Sequence, residues 1–139
     1  MQKLDYPFAL KPENLVNIAI IDAQHQNFVL ILNNLYYCFQ NQGSEAEVKS
    51  ILDALTIHAA LHFQTEEALL EKYQYPALDE QKLQHHNLTS VLLNKLKTFN
   101  YSEPSSTMDI LDFMEDWLVS HLSHYDIKYS QFLNDKGVF

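Results

Sequence analysis

The sequence predicts an all-α fold, an up-down-up-down antiparallel four-helix bundle with an N-terminal extended arm. Three observations predict it. Glycine occurs only twice and proline four times in 139 residues, so few positions interrupt regular structure. Between the interruptions, apolar residues recur three, four and seven apart rather than in alternation. The links are short, which makes consecutive helices antiparallel neighbours.

Residues 1 to about 14 contain Pro7 and Pro12 and read as an arm lying on the bundle domain, residues 15–139. A first helix, about 16 to 41, is marked by Ile18, Ile21, Phe28, Leu32, Leu35 and Phe39. It ends at Asn41-Gln42-Gly43-Ser44, where Gly43 suits a left-handed C-cap and Ser44 with Glu47 makes a capping box. Val48, Ile51, Leu55, Ala59, Leu69 and Tyr73 mark a second helix, about 45 to 73. Pro76 stops it, because the residue before a proline is pushed out of the helical region. Leu78, Leu88, Leu92, Leu96 and Phe99 mark a third, about 77 to 99. After a break at Asn100 to Ser106, with Ser106 as the expected cap, Leu111, Met114, Leu118, Tyr125, Tyr129 and Phe132 mark a fourth, about 107 to 133.

Composition removes several function classes. Two isolated glycines, Gly43 and Gly137, cannot build a phosphate-cradling loop. A net charge of -9 with no arginine argues against nucleic acid and against an anionic membrane surface. Residues 1–10 carry Asp5 and Pro7 and no apolar run of signal-peptide length. No stretch approaches the roughly 18 to 20 apolar residues of a membrane span. The single Cys38 has no disulfide or CxxC partner, so a cytoplasmic location is expected.

Histidine is the unusual feature, with seven residues. Helical register places several ionisable or polar side chains on the apolar stripes. His25 lies three before Phe28; His62 is seven after Leu55, and Glu66 four after His62. Gln81 and His85 fall between Leu78 and Leu88, and His121 follows Leu118 by three. Any one of these alone reads as a satisfied core polar residue. Together they are too costly to bury unless they compensate one another, and a bound cation does so most directly. A hydrogen-bonded network without metal is the competing reading. Imidazole plus carboxylate without thiolate suits iron, manganese or zinc, and carboxylates that can bridge suit a pair of irons or manganese ions. Phe63, Trp117, Phe113, Tyr36 and Tyr37 read mainly as core filler, and Glu67, Glu71, Asp79 and Glu80 as a solvated acidic face.

These residues resemble the hemerythrin family, in particular its short single-domain bacterial members. Ile21-Asp22-Ala23-Gln24-His25 is similar to the first-helix motif, and His62-Phe63-Gln64-Thr65-Glu66-Glu67 to the HFxxEE signature. Tyr75-Pro76 followed by His85 is similar to the third-helix segment, and Trp117-Leu118-Val119-Ser120-His121 with Asp126 to the closing WLxxHxxxxD. The likeness covers about residues 15 to 133. It implies a non-haem di-iron centre, with oxo or hydroxo and carboxylate bridges, that binds O2 reversibly for carriage, storage or sensing and is not an enzyme. His25 and His62 then hold the oxygen-binding iron, the third-helix pair and His121 the other, and Glu66 and Asp126 bridge.

One position departs from the family pattern, because Gln81 stands where the third-helix HxxxH has its first histidine. Gln81 offers a neutral carbonyl oxygen, a harder and weaker ligand, or a hydrogen bond to a water. A more open iron would favour O2- or peroxide-activating enzyme chemistry, the first alternative function. A metal-poor interaction or iron-handling protein is the second. His124 points the wrong way to replace the missing ring, His58 reads as a residue behind the ligands or on a channel, and His86 as solvated. His121 and Asp126, five apart, diverge by about 140° on a regular α-helix, so their convergence predicts a π-type widening between them.

Overall fold

The computed structural model describes residues 7–139. Helices α1 (Ala19–Gln40), α2 (Glu45–Lys72), α3 (Leu78–Lys97) and α4 (Pro104–His121) are followed by a π-helical turn, Leu122–Asp126, and by α5, Ile127–Asp135. His121, Leu122, Asp126 and Ile127 all keep right-handed helical dihedrals, so α4, the π turn and α5 run on as one fourth arm. α1 packs on α2 and α4, and α3 on α2 and α4. That cyclic order is the up-down-up-down four-helix bundle, and no strand occurs among the described residues.

Several boundaries differ from the sequence expectation for local reasons. Residues 1–6 of the expected arm lie outside the described residues. The remainder is tied to α1 by a reciprocal pair: Phe8 N donates to Asn33 Oδ1 (2.7 Å), and Asn33 Nδ2 donates to Phe8 O (2.9 Å). α1 begins at Ala19, three residues later than the apolar spacing suggested. Asn17 adopts φ 60°, and the Asp22 carboxylate accepts the main-chain N–H groups of Val16 (2.9 Å) and Asn17 (3.1 Å). An anion in the first turn suits the positive helix end. Val16 and Ile18 are buried all the same, but from an extended segment. α4 starts earlier than expected, with Pro104 in its first turn, where a missing N–H costs nothing. Ser106 does not cap it; its Oγ accepts from Asn100 N instead.

The α1–α2 turn corrects the role of Gly43. The left-handed residue there is Gln42, φ 51°, not Gly43. Ser44 Oγ accepts from Glu47 N as a cap should, but the Glu47 carboxylate turns to Cys38 Sγ (3.9 Å) rather than closing the box. Gly43 is needed for space. Its N–H donates to Cys38 O (2.8 Å), and a Cβ at Gly43 would run into Cys38 Sγ and sit 3.2 Å from Cys38 O. Gly43→Ala is therefore expected to destabilise the bundle by about 1 to 3 kcal/mol, the usual cost of overpacking. Thermal unfolding checks this, and an unchanged midpoint would show that the turn yields freely.

Two apolar clusters flank the middle of the bundle. The larger centres on Phe28, Leu32, Leu35, Leu55, Leu111, Met114 and Leu118, and the smaller on Val16, Ile18, Ile21, Leu70, Tyr129 and Leu133. Between them along every arm fall the buried polar residues His25, His62, Glu66, Gln81, His85, His121 and Asp126. A polar layer is thus closed by hydrocarbon at both ends.

Candidate metal centre

Each arm supplies part of this layer. His25 comes from α1, His62 and Glu66 from α2, Gln81 and His85 from α3, and His121 and Asp126 from either end of the π turn. Within that turn Ile127 N donates to Leu122 O, five residues back, which is the widening that the five-residue spacing predicts. Both side chains consequently face inward on adjacent levels, and both are buried.

The two carboxylates stand at the middle of the cluster, each with one oxygen toward either half. Glu66 sets Oε2 2.9 Å from His62 Nε2 and Oε1 3.2 Å from His85 Nε2. Asp126 sets Oδ2 3.1 Å from His25 Nε2 and Oδ1 2.9 Å from His121 Nε2. Two groups result whose ligand atoms lie within 4.8 Å of one another: His25, His62, Glu66 and Asp126, and Glu66, His85 and His121. Glu66 belongs to both.

Whether a cation fits is decided by the hydrogen bonds around His62. Thr65 Oγ1 donates to Leu61 O (2.9 Å), so it must accept from Gln24 Nε2 (3.1 Å). Gln24 Oε1 is then the end that faces His62 Nδ1 at 2.9 Å, and Nδ1 must carry the ring proton. With Nδ1 protonated, the neutral His62 ring turns an Nε2 lone pair toward Glu66 Oε2 and toward His25 Nε2, 3.2 Å away. Burial lowers the pKa of His62, outweighing the pull of Glu66. Burial would raise that of Glu66, yet positive charge on the surrounding imidazoles, His62 first and then His121 and His85, holds it well below the usual carboxylate range, and when the rings are neutral that charge has to come from a bound cation. Lone pairs converging from a neutral imidazole and an ionised carboxylate repel unless a cation joins them. Glu66 Oε2, both Asp126 oxygens and His121 Nε2 are buried without an aligned hydrogen bond. The donor set therefore fits divalent metal.

The remaining rings are held just as firmly. His85 Nδ1 donates to Glu67 Oε2 (2.8 Å), leaving Nε2 for the interior, and the ring stacks on Phe63 with centroids 4.1 Å apart and planes 12° apart. His121 stacks on Trp117 at 4.7 Å and 20°. Burial alone would lower the pKa of His121, but Asp126 and Glu66 push it up to about 9. Phe63 and Trp117 are thus more than filler, because they fix ring orientation.

Gln81 is buried one turn before His85. Its Nε2 donates to Tyr125 O (3.1 Å), a carbonyl of the π turn. Its Oε1 is buried without a partner, as an oxygen turned to a cation or water would be. The other histidines stay out: His86 and His124 are exposed, and His58 is buried behind Gln24, donating from Nε2 to Gln24 O (2.7 Å).

Four residues with evident roles here were not singled out from sequence, or were read otherwise. Glu67 belongs to His85 and not to the solvated face that keeps Glu71, Asp79 and Glu80 exposed. Gln24 and Thr65 set the tautomer of His62. Tyr129, read as a helix marker, is fully buried with a hydroxyl that makes no aligned hydrogen bond. Burial, then Asp126 and Glu66, hold its pKa well above the phenol range.

Comparison with known proteins points to one family. Residues 16–131 match the model of the Hemerythrin HHE cation binding domain. A bacteriohemerythrin of Methylococcus capsulatus is 30% identical over 118 residues, covering 85% of this chain and 89% of the relative. One from Clostridium acetobutylicum is 28% identical over 126 residues, covering 88% and 98%. A crystal structure of a hemerythrin carrying a leucine-to-tyrosine substitution superposes with a TM-score of 0.77 at 25% identity, covering 89% of this chain and 95% of that one.

Proposed function

The chain belongs to the hemerythrin family, and on that premise we propose that it binds O2 reversibly at a di-iron centre. Its ligands are His25, His62, Glu66, Gln81, His85, His121 and Asp126. The observation that carries this reading is the division of the two buried carboxylates, each with one oxygen toward either half. Bound iron supplies the electrons that O2 takes up on binding.

The chain's own residues supply position and exclusion of water. Gln24 and Glu67 hold the outer nitrogens of His62 and His85, so that each presents Nε2 inward. Phe28, edge-on to His62 at 5.5 Å, packs with Leu118 in the larger apolar cluster, and Ile21 lies in the smaller one. All three are buried, which keeps hydrolysis and uncontrolled oxidation of the centre slow. Tyr129 retains its proton beside the carboxylates and is a hydrogen-bond donor held inside the site. Among the described residues no helix is long and apolar enough to cross a membrane. A cytoplasmic location, supported by the free Cys38, is part of the proposal.

Cycling the iron-loaded chain between air and argon tests it. The expected result is an absorption change that appears in air and disappears under argon over repeated cycles, with iron retained. Rapid bleaching with peroxide consumption would transfer the protein to the enzyme reading, because Gln81 leaves its half with two imidazoles, as in the His25 half.

A further inference from the structure

We propose that Glu67 is the positioning residue that keeps metal in the Gln81 half of the centre, compensating for the imidazole that half lacks. The proposal rests on the di-iron reading above. The two halves differ in what stands behind their ligands. In one, His62 leans on a neutral amide, Gln24 Oε1, and His25 Nδ1 is buried with no partner. In the other, His85 leans on a carboxylate, Glu67 Oε2, at the short distance of 2.8 Å.

A carboxylate behind a ligating imidazole fixes its tautomer and raises its donor strength. The short bond marks a charge-assisted contact. Phe63, stacked on the other side of the seam, prevents the ring from turning away from it. Glu67 is 28% exposed, so holding that geometry forgoes only part of its hydration. The ionic outer partner thus stands in the half where Gln81 contributes a neutral oxygen, and behind the ring that shares α3 with Gln81.

The test is competition between a chelator and ferrous iron under argon, in the wild-type chain, Glu67→Gln, Glu67→Asp, Gln81→His and the double variant Glu67→Gln/Gln81→His. Wild type should bind two irons of unequal affinity. Glu67→Gln should weaken the looser one by about 10- to 100-fold, the usual cost of losing an outer partner. The tighter one should change by less than about threefold, and Glu67→Asp should recover part of the loss. In the Gln81→His background the same change should cost at most a few-fold, since three imidazoles then hold that iron. Equal loss at both irons together with a lower melting temperature of the unloaded chain would show a merely structural role and overturn the proposal. So would an unchanged affinity in Glu67→Gln, or an equal penalty in both backgrounds. A wild-type chain that binds no iron at all would instead remove the di-iron reading, and the proposal with it.

Discussion

Glu66→Ala is expected to empty both halves of the centre at once, whereas His25→Ala should cost only one metal. Glu66 is the residue common to the two ligand groups, with Oε2 toward His62 and Oε1 toward His85. Its removal also takes away the anion around which His62, His85 and His121 are packed, all of them buried. His121, which Asp126 and Glu66 push up to about 9, loses one of those two carboxylates, and breaking a buried charge pair on one side costs up to about 3 to 5 kcal/mol, so the unloaded chain should melt earlier as well. Metal analysis of the purified variants, with melting curves beside it, checks both effects. Retention of one full equivalent in Glu66→Ala would mean that the carboxylate does not span the halves as its two oxygens suggest.

Gln81→His is expected to make the second metal harder to strip, by roughly tenfold or more, a change of the size that outer partners alone produce. Imidazole is the stronger ligand for iron, and a ring at this position can reproduce both present contacts. Nδ1–H can donate to Tyr125 O, which Gln81 Nε2 now does at 3.1 Å, while Nε2 takes the inward place of the unpartnered Oε1. Chelator-induced loss of iron should slow for that metal alone. If both metals leave at wild-type rates, Gln81 contributes nothing to the centre and its buried oxygen serves only packing.

Much of this was legible in the sequence, for definable reasons. Helical register is insensitive to what surrounds the chain, so the spacing of His25, His62, His85 and His121 against Phe28, Leu55, Leu88 and Leu118 was enough to bring four rings to one interior. The five-residue gap from His121 to Asp126 carried its own geometric contradiction, and the π turn at Leu122–Asp126 is how the backbone resolves it. Contacts between helices were not legible in the same way. Glu67 neighbours Glu66 in sequence and looks like one more acidic surface residue; only the rotation of α2 against α3 brings it to His85 Nδ1. Gln24 and Thr65 likewise lie beside His25 and Glu66, but their function depends on the α1–α2 seam, where the Gln24 amide donates to Thr65 Oγ1 and accepts from His62 Nδ1. At the α1–α2 turn the expectation failed because Gly43 was read for its backbone freedom when its missing side chain was the point. At the start of α1, apolar spacing continued into Val16 and Ile18 although Asn17 and Asp22 had already set the boundary.

The most direct test of the central claim is an anaerobic titration of ferrous iron into the unloaded chain, followed by metal analysis after gel filtration. The two-halved arrangement around Glu66 and Asp126 predicts saturation at two irons per chain, falling toward zero in Glu66→Ala. Saturation at one iron, or iron lost entirely on gel filtration, would contradict it.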